Sequence, residues 1–169
     1  MKLLGCVMIA LASLLGGVLY TRGIKQRQEE LASACAMLEL MRGELETRLT
    51  PLPELAAELA GRVGGAGEAF LLCLAMKLKE LGKRNFAELW AESVDGVFCA
   101  SDAETRNRLI QLGPVLGRYD IGSQLSTLDS CADALRRRYL QLSGDMPQLL
   151  RLGMGLCMSA GALIVILLI

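Results

Sequence analysis

Residues 31–49 have the sequence LASACAMLELMRGELETRL, and this stretch determines the fold class. An apolar side chain recurs at every third or fourth position: Leu31, Cys35, Leu38, Met41, Leu45 and Leu49. Because an α-helix turns once in about 3.6 residues, this spacing places the apolar side chains on one face of a helix. The stretch therefore predicts a long amphipathic helix that buries one face against other helices.

The sequence on either side of this stretch continues the helical pattern. Only 12 of the 132 residues from position 20 to position 151 are Val, Ile or Thr, a composition that favours helices over strands. Apolar residues at helical spacing predict five further short helices, with these inward residues: Leu52, Leu55 and Leu59; Leu71, Leu74, Leu78 and Leu81; Leu89, Trp90, Val94 and Val97; Leu109, Leu112 and Leu116; Leu125, Leu128, Leu135, Tyr139 and Leu142. The prediction is an all-α fold, an antiparallel bundle of about six helices.

Two capping-box patterns predict where helices begin. They are Asn85 with Glu88, before the fourth helix, and Ser101 with Glu104, before the fifth. In such a pattern the first side chain accepts a hydrogen bond from the third residue of the helix, and the acidic side chain reaches back to the cap.

Glycines and prolines predict where the helices are interrupted. Residues 61–67 (GRVGGAG) lack the lysine and the strand-to-helix context of a phosphate loop, so they predict a plain linker. Gly144 and Pro147 predict that the sixth helix ends or kinks, because proline removes a helical hydrogen bond.

Two uncharged apolar segments lie at the ends of the sequence. Residues 3–19 and 152–169 contain 17 and 18 residues, which as helices measure roughly 26 and 27 Å. The hydrocarbon core of a bilayer is about 30 Å thick, so each segment predicts one transmembrane helix. The expected organisation is a transmembrane anchor at 1–21, a helical-bundle domain at 22–146 and a second anchor at 147–169.

Two features of these segments allow alternatives. Ala10, Leu11 and Ala12 form a signal-peptidase-like site, but cleavage there would leave an apolar stub, so we favour an uncleaved anchor. Small residues recur four apart, as in Ala12 with Gly16. Such pairs let helices approach closely and self-associate, yet glycine and alanine are also simply common in membrane helices.

The distribution of basic residues predicts the topology. Near the membrane, the middle domain carries seven basic residues: Arg22, Lys25, Arg27, Arg136, Arg137, Arg138 and Arg151. The terminal side carries only Lys2 and the amino group. Because basic residues accumulate on the cytoplasmic side, we expect a cytoplasmic middle domain.

Several classes of chemistry are excluded or unsupported by composition. The sequence has no His, and its 18 basic residues balance its 18 acidic residues, so we expect no His-based catalysis and no nucleic-acid binding. The six cysteines are too far apart for a C-x-x-C motif, and the carboxylates lie on helices rich in Arg and Lys. We therefore expect no enzyme, no metal and no cofactor.

Residues 136–138 (RRR) either contact membrane lipid or an acidic partner, or form ordinary exposed surface.

Several short motifs together resemble those of a known family. They are residues 2–5 (KLLG), 49–54 (LTPLPE), 86–90 (FAELW), 116–120 (LGRYD) and 164–169 (IVILLI). Their order and spacing resemble the stage III sporulation protein AB family, and the resemblance covers essentially the whole chain. It implies a role in endospore formation, as a component of the channel-like complex between mother cell and forespore, in the mother-cell (outer forespore) membrane.

The resemblance also implies partners. The soluble part of this family is similar to the six-helix cytoplasmic domain of the inner-membrane platform proteins of type II secretion and type IV pili. A member would then couple a secretion-type ATPase, stage III sporulation protein AA, to other stage III sporulation membrane proteins. In that family the sixth helix is expected to continue into the last span, whereas Gly144 and Pro147 predict an interruption here.

Two helix junctions predict a partner surface. It comprises Thr50, Pro51, Pro53, Glu54, Arg118 and Asp120, which packing does not obviously require. The alternative is local: Thr50 caps a helix, the prolines shape the turn and Asp120 caps the sixth helix.

Two other functions compete with a non-enzymatic platform. A two-span sensor would respond to a ligand by tilting its bundle, but such bundles normally lie outside the cell, against the charge count. A membrane-anchored enzyme would need a nucleophile with a base, and no such pair is evident.

Overall fold

The computed structural model describes residues 2–47, 52–117 and 120–168. Within these ranges the chain forms six α-helices and one short 3₁₀ helix, with no strand, which confirms the all-α prediction. The helices are α1 (Lys2–Thr47), α2 (Leu52–Ala60), α3 (Gly65–Lys77), α4 (Phe86–Val97), α5 (Ala103–Leu116) and α6 (Ile121–Leu168); the 3₁₀ helix spans Leu78–Glu80 and continues α3.

The chain divides into two compact units. One is the helical bundle, Arg27–Leu140, and the other combines Met1–Gln26 with Gln141–Ile169. The bundle thus contains α2 to α5 complete and parts of the long helices α1 and α6. Its buried residues include most of the predicted inward positions, because helical period alone places them on one face.

Aromatic rings fill the centre of the bundle. Trp90 of α4 lies edge-on to Phe70 of α3, with ring centroids 4.8 Å apart, and the Phe98 ring is tilted against Phe70 with centroids 5.7 Å apart. The Trp90 Nε1–H donates a hydrogen bond to the Leu109 carbonyl at 2.6 Å, so the buried indole is not left unpaired. Gly113 of α5 makes room for the indole, since a Cβ there would lie 3.0 Å from the Trp90 ring.

Of the two predicted cap residues, one is confirmed and one is wrong. Asn85 precedes α4, and its side-chain oxygen accepts a hydrogen bond from the Ala87 N–H, the second residue of the helix and not the third as predicted. Ser101 is not the cap of α5, because that position belongs to Asp102. Ser101 is instead buried, and its hydroxyl donates a hydrogen bond to a carboxylate of α1.

Leu81 does not lie on the inward face predicted for the third helix. Leu71, Leu74 and Leu78 are buried as expected, but Leu81 is 49% exposed. The α-helix changes to a 3₁₀ helix at Leu78. The 3₁₀ helix ends at Glu80, and the next residue, Leu81, has a non-helical ψ of 128°. The 3.6-residue period therefore no longer applies there.

The prediction that the sixth helix ends at Gly144 and Pro147 is wrong, whereas a kink there stays a prediction. Helix α6 runs from Ile121 to Leu168 through both Gly144 and Pro147. A proline removes one backbone hydrogen bond, and a helix that extends some twenty residues on each side keeps all the others. The continuity matches the expectation from the family resemblance.

The second unit brings its two helical segments together at one glycine. A Cβ at Gly153 would lie 2.6 Å from the Tyr20 ring, so the absent side chain is what lets the ring approach. In the parts of the chain that the structure describes, no helix is long and apolar enough to cross a membrane. The two predicted transmembrane spans are therefore not confirmed.

Candidate partner surface

The first predicted junction lies between α1 and α2. Thr50 and Pro51 fall outside the described residues. Pro53 belongs to the first turn of α2, and Glu54 in the same turn is exposed. An acidic residue in the first turn complements the positive end of the helix dipole, so a local role for Glu54 is compatible with its position.

The second predicted junction lies between α5 and α6. Arg118 falls outside the described residues. Asp120 is exposed just before α6, and its backbone carbonyl accepts hydrogen bonds from the Gln124 N–H at 3.1 Å and the Ser123 hydroxyl at 3.2 Å. Among the described residues, neither the Asp120 carboxylate nor that of Glu54 forms an ion pair.

A buried polar contact was missed by the sequence analysis. Glu30 of α1 is only 6% exposed, and its carboxylate accepts a hydrogen bond from Ser101 at 2.8 Å. Burying a carboxylate is costly unless it is hydrogen-bonded, and this contact supplies such a partner. The contact ties α1 to the start of α5.

The three consecutive arginines have different surroundings. Arg136 lies 3.8 Å from Glu39 of α1, and Arg138 lies 3.6 Å from Asp102 at the start of α5. Arg137 is exposed and forms no ion pair with the part of the chain that the structure describes. Of the three, Arg137 is therefore the one whose charge is available to lipid or to an acidic partner.

The cysteines of the bundle differ in reactivity. Burial raises the pKa of Cys35 to about 11, with a further increase from nearby Glu39, and burial raises the pKa of Cys131 to about 11. Because the thiolate is the reactive form, both groups are nearly inert at neutral pH. Cys99, by contrast, is exposed.

The described residues contain no assembled site for chemistry. No group of three or more Cys, Asp or Glu is placed to hold a metal ion within the described ranges. One cleft of about 150 Å³ lies between α5 and α6, lined by Arg108, Gln111, Leu112, Thr127, Ser130 and Cys131. It is smaller than the roughly 300–1,000 Å³ of typical ligand pockets.

The described residues define an all-α, helical-bundle protein. The sequence profile of the family described as Stage III sporulation protein AB matches residues 2–169. The chain belongs to this family, whose members are structural sporulation proteins and not enzymes.

Comparison with solved structures supports the fold. A structure titled Stage III sporulation protein AB superposes with a TM-score of 0.64 at 18% sequence identity, covering 72% of this chain and 96% of that one. At this identity the likeness shows the fold. A search of curated proteins found no match.

Proposed function

We propose that this chain is a non-enzymatic platform in the channel complex between mother cell and forespore. Residues 22–146 form the cytoplasmic bundle of this platform, and the apolar segments at 1–21 and 147–169 anchor it as two spans in the mother-cell membrane. The bundle couples a secretion-type ATPase, stage III sporulation protein AA, to other stage III sporulation membrane proteins.

The family membership of residues 2–169 carries this proposal. Membership implies other stage III sporulation proteins as partners, and it suggests a membrane-associated role. A structural protein acts through its surfaces, and the described surface of the bundle carries exposed charges of both signs.

The charge distribution supports the cytoplasmic side. Seven basic residues of the middle domain lie near the apolar segments, against Lys2 and the amino group at the ends. Arg137, the exposed arginine without an ion partner in the described ranges, adds a cation that anionic lipid headgroups attract. A sensor with an external bundle would reverse this arrangement.

The surface proposed to contact partners comprises Thr50, Pro51, Pro53, Glu54, Arg118 and Asp120. The exposed carboxylates of Glu54 and Asp120 support this assignment, because neither is engaged in an ion pair among the described residues. A partner with complementary basic groups would gain from both charges, and such charges chiefly set specificity and rate of association.

Membrane topology tests the proposal most directly, and Cys99 is the best probe. Its thiol is exposed, whereas Cys35 and Cys131 are nearly unreactive because of their raised pKa values. We expect a membrane-impermeant maleimide to label the protein only after the cells are opened. The double variant Cys73→Ser with Cys99→Ser is the control, because Cys73 is only partly buried and can also react, so both changes are needed to remove most of that labelling. Labelling of Cys99 in intact cells would place the bundle outside, and coupling to a cytoplasmic ATPase would then be impossible.

Co-purification tests the partner surface. We expect Arg118→Glu and Glu54→Arg to reduce the recovered ATPase by about fivefold or more, because reversed charges repel groups that were attracted before. Asp133→Arg is the matched control, since Asp133 is also an exposed acidic residue but lies on α6, outside the proposed surface. Equal recovery with all three variants, each folded by circular dichroism, would remove these junctions from the interface.

A further inference from the structure

The outward face of α3 is apolar although the helix lies at the surface of the bundle. On this face Leu72 is 49% exposed and Met76 is 63% exposed, and the smaller residues beside them are Ala69, Cys73 and Ala75. The opposite face of α3 is buried in the core through Phe70, Leu71 and Leu74. Helix α3 therefore has apolar side chains on both faces, and packing within the bundle accounts for only one of them.

One charged residue stands at each end of this outward face. Glu68 lies one turn before Leu72, and Lys79 lies one turn after Met76 in the 3₁₀ helix that continues α3. At about 100° per residue in α3 and about 120° in the 3₁₀ helix, these four residues fall within roughly 80° around the helix. Both charges are exposed, and neither forms an ion pair with any residue in the described ranges.

This arrangement is self-complementary. The midpoint of Leu72 and Met76 is position 74, and the midpoint of Glu68 and Lys79 is position 73.5. At 1.5 Å per residue the two midpoints differ by only about 0.75 Å. If two copies of α3 pack antiparallel about a two-fold axis there, Leu72 meets Met76 of the second copy, and Glu68 meets Lys79 of the second copy. A two-fold interface requires this kind of reciprocal match.

The remaining charge near the face does not oppose the pairing. Glu80 follows Lys79 in the 3₁₀ helix, and at about 120° per residue it lies roughly 180° around the axis from Glu68. Glu80 therefore points away from the apolar strip that the two copies share. The two acidic residues are thereby kept apart.

We propose that the outward face of α3 is a self-association surface that pairs antiparallel with the same face of a second copy of this chain. The occupant is identified by charge complementarity, because an acidic and a basic end flank one apolar centre. A single helix face is a small interface, so we expect a dissociation constant on the order of 10–100 µM for the isolated chain. Confinement in a membrane raises the effective concentration and favours the dimer.

A charge exchange tests the proposal on the full chain in a mild detergent, by sedimentation over a range of protein concentrations. Glu68→Lys and Lys79→Glu should each weaken dimerisation by about tenfold or more, since each places like charges opposite one another. The double variant Glu68→Lys with Lys79→Glu should return the dissociation constant to within about threefold of the wild type, because it restores two opposite pairs. Leu72→Lys should abolish the dimer.

Controls and contrary outcomes are defined by the same measurement. Asp133→Lys reverses an exposed charge on α6 and should leave the dissociation constant unchanged. Fluorescence of Trp90, the single tryptophan, verifies that each variant keeps its folded bundle. A wild type that stays monomeric at all concentrations overturns the proposal. Dimerisation that is unaffected by the single reversals, or a double variant as weak as the single ones, also overturns it.

Chemical cross-linking gives an independent readout. Cys73 lies within one residue of the proposed axis, and packed helices are about 8–10 Å apart, so a short bis-maleimide should join the two copies. Cys73→Ser should abolish the cross-linked dimer, and Cys99→Ser should retain it. The opposite pattern, or no cross-link under conditions where sedimentation shows a dimer, would place the contact elsewhere.

Discussion

The two connections on either side of α3 are both glycine-containing and exposed, yet they are held in different ways. The connection before α3, with the first turn of that helix, is bound by Ser33 of α1. The Ser33 hydroxyl donates a hydrogen bond to the Gly64 carbonyl at 2.5 Å and accepts one from the Gly67 N–H at 2.6 Å. One side chain thus satisfies both a loop carbonyl and a free N–H at the start of a helix.

The connection after α3 is held by surface charges. Arg84 in this connection forms an ion pair with Glu92 of α4, and Lys77 at the end of α3 reaches the same carboxylate at 3.3 Å. Such exposed pairs contribute little to stability, because water and salt screen them and long side chains lose entropy when fixed.

The comparison shows that a glycine-rich connection is not necessarily free of contacts with the rest of the bundle. Gly65 has a φ of +66°, which glycine adopts without strain, and Gly67 is buried against α1. In this loop the glycines permit close approach to Ser33. The prediction of a plain linker at residues 61–67 therefore gave the position of the loop but not its attachment.

The largest expected effect comes from filling the close approach at Gly67. A Cβ there would lie 2.6 Å from Val63 Cγ1 and 3.0 Å from the Ser33 carbonyl oxygen. We expect Gly67→Ala to lower the free energy of unfolding by about 2 kcal/mol, because the steric cost exceeds the gain in helix propensity. Urea denaturation followed by the fluorescence of Trp90 measures the change.

Gly61→Ala is the matched control in the same connection. A Cβ at Gly61 would meet nothing within 4 Å, so we expect a change within about 0.5 kcal/mol. Equal stability of the two alanine variants would mean that the loop does not pack on α1 as described.

A smaller effect is expected from removing the hydroxyl that joins the loop to α1. Ser33→Ala leaves the Gly67 N–H and the Gly64 carbonyl without their partner, and the N–H is partly buried. We expect a loss of about 1.5 kcal/mol in the free energy of unfolding, by the same denaturation assay. Ser126→Ala, which removes an exposed serine hydroxyl within α6, should change stability by no more than about 0.5 kcal/mol.

The contrast between local and distant contacts explains what the sequence predicted. The core of α5 was predicted correctly, and Leu109, Leu112 and Leu116 are all buried. Helical period is a local property, so it is visible within a dozen residues. The contact between Glu30 and Ser101 joins residues 71 positions apart, and nothing in either local sequence indicates the other.

The wrong predictions arose where a local signal was overridden. Ser101 had the chemistry of a cap, but the next residue, Asp102, occupies that position and Ser101 packs against α1. Pro147 had the chemistry of a helix breaker, but α6 continues through it. For Ser101 the contact with α1 determined the outcome, as tertiary context commonly does.

The partner surface was less predictable than the fold. Its residues were chosen because packing did not require them, and a sequence contains no direct information on the groups that a partner presents. Glu54 and Asp120 are indeed exposed, while the assignment of all six residues to an interface stays a prediction. The outward face of α3 was missed because Leu72 and Met76 have the same apolar chemistry as core residues.

The smallest expected effect concerns the charged connection after α3 and depends on pH. Hydrogen bonds from Arg84, and then from Lys77, lower the pKa of Glu92 from its usual value to about 2. A carboxyl whose folded pKa is lowered stabilises the folded state above its unfolded pKa of about 4.5, and this contribution disappears as the pH falls towards 2. We therefore expect the stability difference between the wild type and Glu92→Gln to be constant above pH 5 and to shrink between pH 4.5 and pH 2.

Salt separates this surface contribution from the hydrogen bonds of Ser33. Because Glu92 is exposed, its ion pairs are screened, and about 1 M salt should reduce the difference between the wild type and Glu92→Gln at pH 6. The loss caused by Ser33→Ala should persist in the same salt, since it comes from a partly buried hydrogen bond to a neutral backbone. Two results would contradict the view that the connection after α3 contributes less to stability than the connection before it. One is a larger loss in the free energy of unfolding for Glu92→Gln than for Ser33→Ala. The other is a loss for Glu92→Gln that does not change with pH or salt.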